Sequence, residues 1–473
     1  MRTPVPQRTF ADLEFRRQTV QLEPLLKTIA AFLDRQAALV NRVRRDLLRG
    51  LKRPTTGRRG LTPAQTLRSL ILMRVKNWDY RELRERIADG YTLRAFTQFE
   101  SQRVPKHDAF NRAFNRLTPE TLQAINGATV DAAVMLGLED GTKLRVDTTV
   151  AETDIHWPTD STLLWDTVRV VTRLVRQLDH LLPTGVGPFT LRTRAARRRM
   201  QEIQRMTAKE RHTQQVPTYR ALIGITEGVV AEARAVVVRT RAPRSGGVVT
   251  GATVTALKQQ IASYCDLGDR VISQTRRRVL QGEQVPADEK IYSIFEPHTD
   301  LIKRGKERKP IEFGHKVFLA ESARGLITQY RVLTGNPADQ VHVAPSLECH
   351  TDIFGHAPEL YSADRGFFSA ANLEVCAAAG VTCVCIPQAG GKRSAERQAF
   401  EKSRPFKQGQ RFRAGIEGRI SVPFRGRGMK RALVEGRQRF EVLVGAAVLA
   451  NNLMVIAALL QPKRACRRRR PAA

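Results

Sequence analysis

Apolar residues recur at helical spacing through the first 140 positions. Leu22 to Leu51 carries Leu, Ile and Val among many Arg, and the link Pro54-Thr55-Thr56-Gly57-Arg58-Arg59-Gly60 is basic and rich in breakers. Thr62-Pro63 is a cap followed by Pro at the first helical position, and Leu67, Leu70, Ile71 and Val75 keep the helical period. Further helices are predicted over Tyr80 to Ala88, from Asp108 through Phe110 and Phe114 to Leu117, and from Thr118-Pro119-Glu120 onward. Short helices with tight turns and several Arg suit a helix-turn-helix-like DNA-binding domain over 1–140. A plain helical packing domain fits the same pattern.

The period then changes. Lys143 to Val150 alternates, with Arg145, Asp147 and Thr149 on one face and Leu144, Val146 and Thr148 on the other. An Asp on a strand suited to burial is unfavourable unless something pairs with it, such as a metal ion. A solvated strand end is the alternative. Glu152 to Ser161 crowds acids around His156, and Asp160 or Ser161 is expected to cap the helix that follows. In that helix Leu164, Val168, Val171, Val175, Leu178 and Leu182 alternate steps of four and three, a coiled-coil-like seam. Residues 151–289 read as a helical insertion. Within it, the Arg-dense run from Arg192 to Arg211 is either a solvated helix face or a phosphate-tracking one.

From about 290 the strand period returns. Strands are predicted over Ile291 to Phe295, His315 to Leu319, Leu326 to Leu333, Glu359 to Gly366 and Val381 to Ile386, with helices over His342 to His356 and Ala370 to Ala379. The class is α/β: a mixed sheet with helices on its faces, an all-helical N-terminal region and a large helical insertion. Val442 to Leu460 is nearly long and apolar enough to span a membrane. It contains Asn451 and Asn452, and reads as a buried core helix.

Charge adds a partner. The chain of 473 residues has 79 Lys and Arg against 46 Asp and Glu, a net charge of +33, which implies a polyanion. Aromatic residues are 6 % of the chain, so duplex backbone binding fits better than base stacking. Ribosomal RNA or an anionic membrane surface are the other polyanions. Six Cys occur without a Cys-x-x-Cys pair, which argues against a zinc ribbon and for reduced thiols in a cytosolic compartment. Met1 to Phe10 lacks a signal-peptide apolar core, and the tail 462–473, with Lys463 to Arg470, is expected to be disordered and phosphate-seeking.

Two-metal phosphodiester chemistry needs acids from separate elements. Asp147 on a strand, Asp364 at the end of another and Glu417 on a late helix are suited to it, with Arg413 four residues before Glu417 on the same helix face. These residues carry a resemblance. Val146-Asp147-Thr148-Thr149 with Ile155 to Ser161, Ser362-Ala363-Asp364-Arg365-Gly366-Phe367, and Arg413-x3-Glu417 resemble the acid regions of bacterial insertion-sequence DDE transposases, most nearly the ISNCY group. Phe295 to Asp300 and Glu312 to Lys316 also look like this group. The Tyr-x2-Arg-x3-Glu-x6-Lys signature has Gln410 in its Tyr place and Phe424 in its Lys place, with Arg425 next.

The resemblance implies an RNase H-like catalytic domain over 141–461, interrupted by the insertion. It implies two Mg²⁺ (or Mn²⁺) ions on Asp147, Asp364 and Glu417. It implies cleavage of double-stranded DNA at element ends and joining of 3′-hydroxyls to target DNA. It also implies a homodimer on DNA, to which the helical seam would contribute, and a cytoplasmic, nucleoid-associated place in a bacterium with no membrane partner. Arg413, Arg425, Lys430, Arg198, Lys303 and Arg304 are the candidate DNA contacts, with Arg427 beside them. Asp154, His156 and Asp160 are second-tier ligand candidates that also suit turn chemistry. A transposase-derived regulator that binds DNA without catalysis, and an RNase H-like nuclease that cuts without joining, are the rival functions.

Overall fold

The computed structural model describes residues 9–17, 21–53, 56–57, 60–241, 247–303 and 310–461, leaving out the side chains of 247–249, 417, 419 and 420. The chain divides into two compact units, residues 1–152 with 316–473, and residues 153–315. Seven strands occur among the described residues: β1 (Lys143–Thr153), β2 (Asp300–Lys303), β3 (Ile311–Ser322), β4 (Ile327–Val332), β5 (Leu360–Ser362), β6 (Cys383–Cys385) and β7 (Arg431–Ala432). The basic tail and the link residues 54, 55, 58 and 59 lie outside the described residues.

In the first unit, helices start where the chain supplies caps. Thr62 and Gln65 form a reciprocal capping box at Pro63–Lys76, Asp79 caps Tyr80–Asp89 and Thr118 caps Pro119–Met135. Leu67, Ile71, Phe96, Phe110 and Leu122 from the N-terminal helices share one core with Leu449 and Leu453 of the C-terminal helix Arg437–Leu460. The opposite face of that helix packs on Val317, Leu319 and Tyr330 of the sheet.

The most apolar stretch of Arg437–Leu460 has a mean hydropathy of 2.2, enough to cross a bilayer by length and composition, yet 72 % of it is buried inside the fold. Its polar residues have specific partners. Asn452 Oδ1 accepts from the Ile327 N–H and its Nδ2 donates to the Ile327 carbonyl, both at 2.9 Å. The helix thereby completes the hydrogen bonding of β4 as a neighbouring strand would. A Cβ at Gly445 would lie 2.8 Å from Leu122 Cβ and would also strike the Tyr330 hydroxyl, so glycine permits the close crossing.

The sheet of this unit runs β4-β3-β1-β5-β6, with β7 also on β1. β3 and β4 are antiparallel, while β5 is parallel to both β1 and β6. Helices Val343–Phe354, Ala370–Ala378 and Arg404–Ser421 connect or follow the strands.

The second unit is built on helices Asp160–Leu181, Thr193–Arg205, Ala208–Arg239 and Gly247–Thr275, and on the antiparallel pair β2 with the start of β3. Leu164, Val168, Val171, Val175 and Leu178 are buried against Leu222, Val229, Ile261 and Val271. The expected coiled-coil seam is therefore spent on the unit's own core and offers no face to a second chain. Two further expectations are corrected here. Thr159, not Asp160 or Ser161, caps the helix, because its hydroxyl accepts from the Thr162 N–H. Ile291 to Ile294 is buried and Phe295 is exposed, and the segment forms no strand. Side chains take its donors: Ile291 N–H goes to Gln274 Oε1 of the long helix before it, and Phe295 and Glu296 N–H go to the local Ser293 Oγ.

Asn452→Leu leaves both Ile327 backbone groups buried and unpaired, so it is expected to destabilise the protein by about 2–4 kcal/mol. The check is the urea midpoint, which should fall clearly below that of the wild type.

Candidate active site

The parallel register of β1 against β5 pairs Lys143 with Leu360, Leu144 with Tyr361 and Arg145 with Ser362. Two residues further along each chain, Asp147 meets Asp364. Asp147 continues in β1, whereas β5 stops at Ser362, earlier than the predicted strand. The reason is local: Asp364 Oδ1 accepts from the Gly366 N–H at 2.8 Å and caps a 3-10 turn over Arg365–Phe367.

Asp147 is mostly buried, and its carboxyl is pushed up from the usual carboxylate range to about 6. Burial is the largest cause, and the Asp364 carboxylate beside it is next. The Arg413 guanidinium and the Thr148 N–H, which donates to Asp147 Oδ1 at 2.7 Å, act the other way. Arg413 Nη2 stands 3.9 Å from Asp147 Oδ2. This arginine was expected to contact DNA or to position Glu417, and its guanidinium lies on the first acid.

Glu417 lies on the helix Arg404–Ser421, and its side chain is outside the described residues. The same helix is held to the strand ends by several contacts. Gln410 Nε2 donates to the Cys385 carbonyl at 2.6 Å and to the Ala363 carbonyl at 3.4 Å. Ser362 Oγ donates to the Gly409 carbonyl at 2.9 Å. A Cβ on Gly409 would collide with Cys385 and sit 3.2 Å from Leu360 Cδ1, so glycine lets the helix backbone approach the sheet. On the other side Arg145 donates to the Phe412 carbonyl, lies over the Phe412 ring at 4.6 Å and pairs with Glu321 at 2.6 Å. Both members of that ion pair are almost fully buried, so β1, β3 and the helix are tied by charges that need one another.

Sequence reasoning missed Asp339. It sits just after β4, accepts from Thr148 Oγ1 at 2.9 Å and pairs with Lys316 at 2.7 Å. It also raises the Asp147 value, and a Cβ on Gly366 would lie 2.9 Å from its Oδ2 and 3.1 Å from Asp364 Oδ1. Gly366 thus marks where the two carboxylates converge. The signal was present as an acid in the turn Gly335-Asn336-Pro337-Ala338-Asp339, but nothing in the period singles it out. Arg145, Glu321 and Gln410 were equally silent as positioning residues.

The remaining candidates are placed elsewhere. Asp160 is buried against Arg278 at 2.7 Å and Gln274 at 3.2 Å, and His156 lies 3.3 Å from Asp166. Asp154 is exposed. All three belong to the second unit. Arg198 and Lys303 are exposed there, Arg198 sharing Glu202 with Arg199, and Arg304 lies outside the described residues. Arg425 and Lys430 are exposed in the first unit, whereas Arg427 donates to the Val75 carbonyl. The two histidine segments form one chain within the second unit. His298 Nε2 faces Glu296 at 2.6 Å, His298 Nδ1 faces His315 Nε2 at 2.7 Å, and His315 Nδ1 faces Asp300 at 2.9 Å.

Carboxylate oxygens from adjacent strand ends are the donors that Mg²⁺ and Mn²⁺ prefer, so the chemistry of Asp147 and Asp364 fits such ions. Among the described residues no set of three or more His, Cys, Asp and Glu side chains is gathered closely enough to hold one ion. A complete site therefore needs a donor from outside that set, and Glu417 is on the helix facing it.

Residues 15–116 match the family model described as Transposase domain (DUF772). No curated protein and no solved structure matches the chain. The match lies on the N-terminal helices and supports a transposase-type, DNA-processing protein with DNA as its partner.

An aspartate held near 6 binds its proton more tightly folded than unfolded, so the metal-free fold loses stability as pH rises from about 4 to about 6. The loss amounts to about 3 kcal/mol or less. In EDTA, Asp147→Asn is expected to unfold at higher denaturant than the wild type at pH 8 and at a similar concentration at pH 4. Equal midpoints at both pH values would contradict the buried, acid-crowded setting of Asp147.

Proposed function

We propose that the protein is a DDE transposase that cuts DNA at the ends of a mobile element and joins the freed 3′-hydroxyls to target DNA. The observation that carries this reading is the parallel register that sets Asp147 beside Asp364, with Arg413 of the late helix on Asp147. A mixed sheet with the first-acid strand between an antiparallel hairpin and two parallel strands supports an RNase H-like core for it. The transposase-domain match at 15–116 supports the same class.

In this reading Asp147, Asp364 and Glu417 hold two divalent ions. When bound, these supply activation of the attacking oxygen and stabilisation of the leaving one. The chain's own groups prepare the site. Burial and like charge make Asp147 a carboxylate that gains by meeting a cation. Lys316 keeps Asp339 paired, which limits the negative charge around the two strand ends. Arg413 balances Asp147 and offers a guanidinium to a phosphate oxygen at the same place. The net charge of +33 supplies the sequence-independent attraction to duplex backbone, with exposed Arg198, Lys303, Arg425 and Lys430 among its carriers.

The experiment is cleavage, with Mg²⁺, of a fragment bearing the element's terminal repeats. Asp147→Ala, Asp364→Ala and Glu417→Ala are each expected to lower cleavage about a hundredfold or more while retaining DNA binding. Full cleavage by all three sinks the site assignment. Binding without nicking in any divalent ion points to a regulator, and cutting without strand transfer from precut ends points to a nuclease.

A further inference from the structure

A lysine stands among the acids of the first unit. Lys316 lies on β3, and its carbonyl accepts from the Leu333 N–H at 2.8 Å, just past the end of β4. Its ammonium donates to the Pro337 carbonyl at 2.9 Å and pairs with Asp339 Oδ1 at 2.7 Å. Backbone and side chain thus clamp both ends of the turn over 333–339. The same Asp339 oxygen accepts from Thr148 Oγ1, so the pair is tied to β1 at the residue after Asp147. Only 11 % of the Lys316 side chain and 19 % of the Asp339 side chain are exposed. Charges so far out of water act on their neighbours through a weakly screening medium.

Asp339 is felt by both acids. Burial and Asp364 lead the rise of the Asp147 carboxyl, and Asp339 adds to it. Asp339 Oδ2 and Asp364 Oδ1 lie against one point, the place a Cβ on Gly366 would take. Lys316 opposes this charge. His342, three residues after Asp339, does not double for it. That ring is buried, and burial first and Arg331 next hold it below the usual histidine range, so it is neutral at pH 8. Arg331 itself lies over the Phe318 ring at 4.6 Å.

We infer that the Lys316–Asp339 pair sets how tightly the acid site takes a divalent ion, with Lys316 as a resident cation that each ion binds against. The inference rests on the acid site proposed above. Neither residue has to touch the ion. Without the lysine charge the site is one unit more negative, which favours a divalent cation. Without the aspartate charge Lys316 is left uncompensated, which disfavours one. The two single changes therefore act with opposite signs, and together they cancel. A pair that only held the turn would give losses of one sign, because either change breaks the same contact. With Lys316 in place the acids alone hold ions weakly, and phosphate oxygens of bound DNA, which Mg²⁺ and Mn²⁺ accept as ligands, complete the binding.

The test is Mn²⁺ binding by the full chain without DNA at pH 8, followed by the electron paramagnetic resonance of free Mn²⁺. Lys316→Met is expected to tighten Mn²⁺ about tenfold and Asp339→Asn to weaken it by a similar factor. The double variant should return to within about threefold of the wild type, and Lys316→Arg should stay near it. Should Lys316→Met fail to fold, as read from its urea midpoint in EDTA, Lys316→Gln removes the same charge. Two single changes that both weaken Mn²⁺, or that both leave it unchanged, overturn the inference. A double variant weaker than either single one overturns it too, in favour of a role confined to holding the turn. So does the absence of measurable binding by the folded lysine variant. Mn²⁺ binding that Asp147→Ala and Asp364→Ala leave intact condemns the acid site and this inference with it. Binding that those two variants abolish, while the Lys316 and Asp339 changes are silent, condemns this inference alone.

Discussion

Two carboxylates side by side at the ends of parallel strands are the constraint around which the first unit is arranged. Asp147 and Asp364 repel each other, and burial makes the repulsion worse. Such an arrangement persists only if the surrounding structure prevents either acid from turning away. β1 continues past Asp147, and Asp364 is locked by its own turn onto the Gly366 N–H. The site is thus a place where stability is given up for geometry, as functional sites commonly are.

The groups that hold this geometry lie one layer back. Arg145 faces away from water, pairs with Glu321 of β3 and reaches the Phe412 carbonyl of the late helix. Gln410 and Gly409 hold the same helix to β5 and β6. These contacts fix where the Arg413 and Glu417 positions fall along the strand ends. Gln410, in the Tyr place of the signature that the sequence resembles, holds the helix to the sheet, since an amide can donate to two strand-end carbonyls at once.

The same economy appears in the C-terminal helix. Its composition is that of a membrane span, but its two faces close two cores, one with the N-terminal helices and one with the sheet. Asn452 is the residue that reveals this, because an amide pair with the Ile327 backbone has value only where a strand edge is present.

Local chemistry was legible from the residues alone. Caps at Thr62, Asp79 and Thr118, the alternation of Lys143 to Val150 and the buried stripe from Leu164 to Leu178 follow from spacing and side-chain type, which act over a few residues. Even there, neighbours in sequence competed: Thr159 took the cap expected of Asp160, and Ser293 took donors of a predicted strand, while Gln274 of the preceding long helix took another. Pairing across long separations was not legible. The β1–β5 register that joins positions 147 and 364, the approach of Asp339 and the Arg145–Glu321 pair arise only when distant segments are brought into contact. Sequence spacing sets which side chains share a face, while the energy of a buried charge depends on what the folded chain places against it.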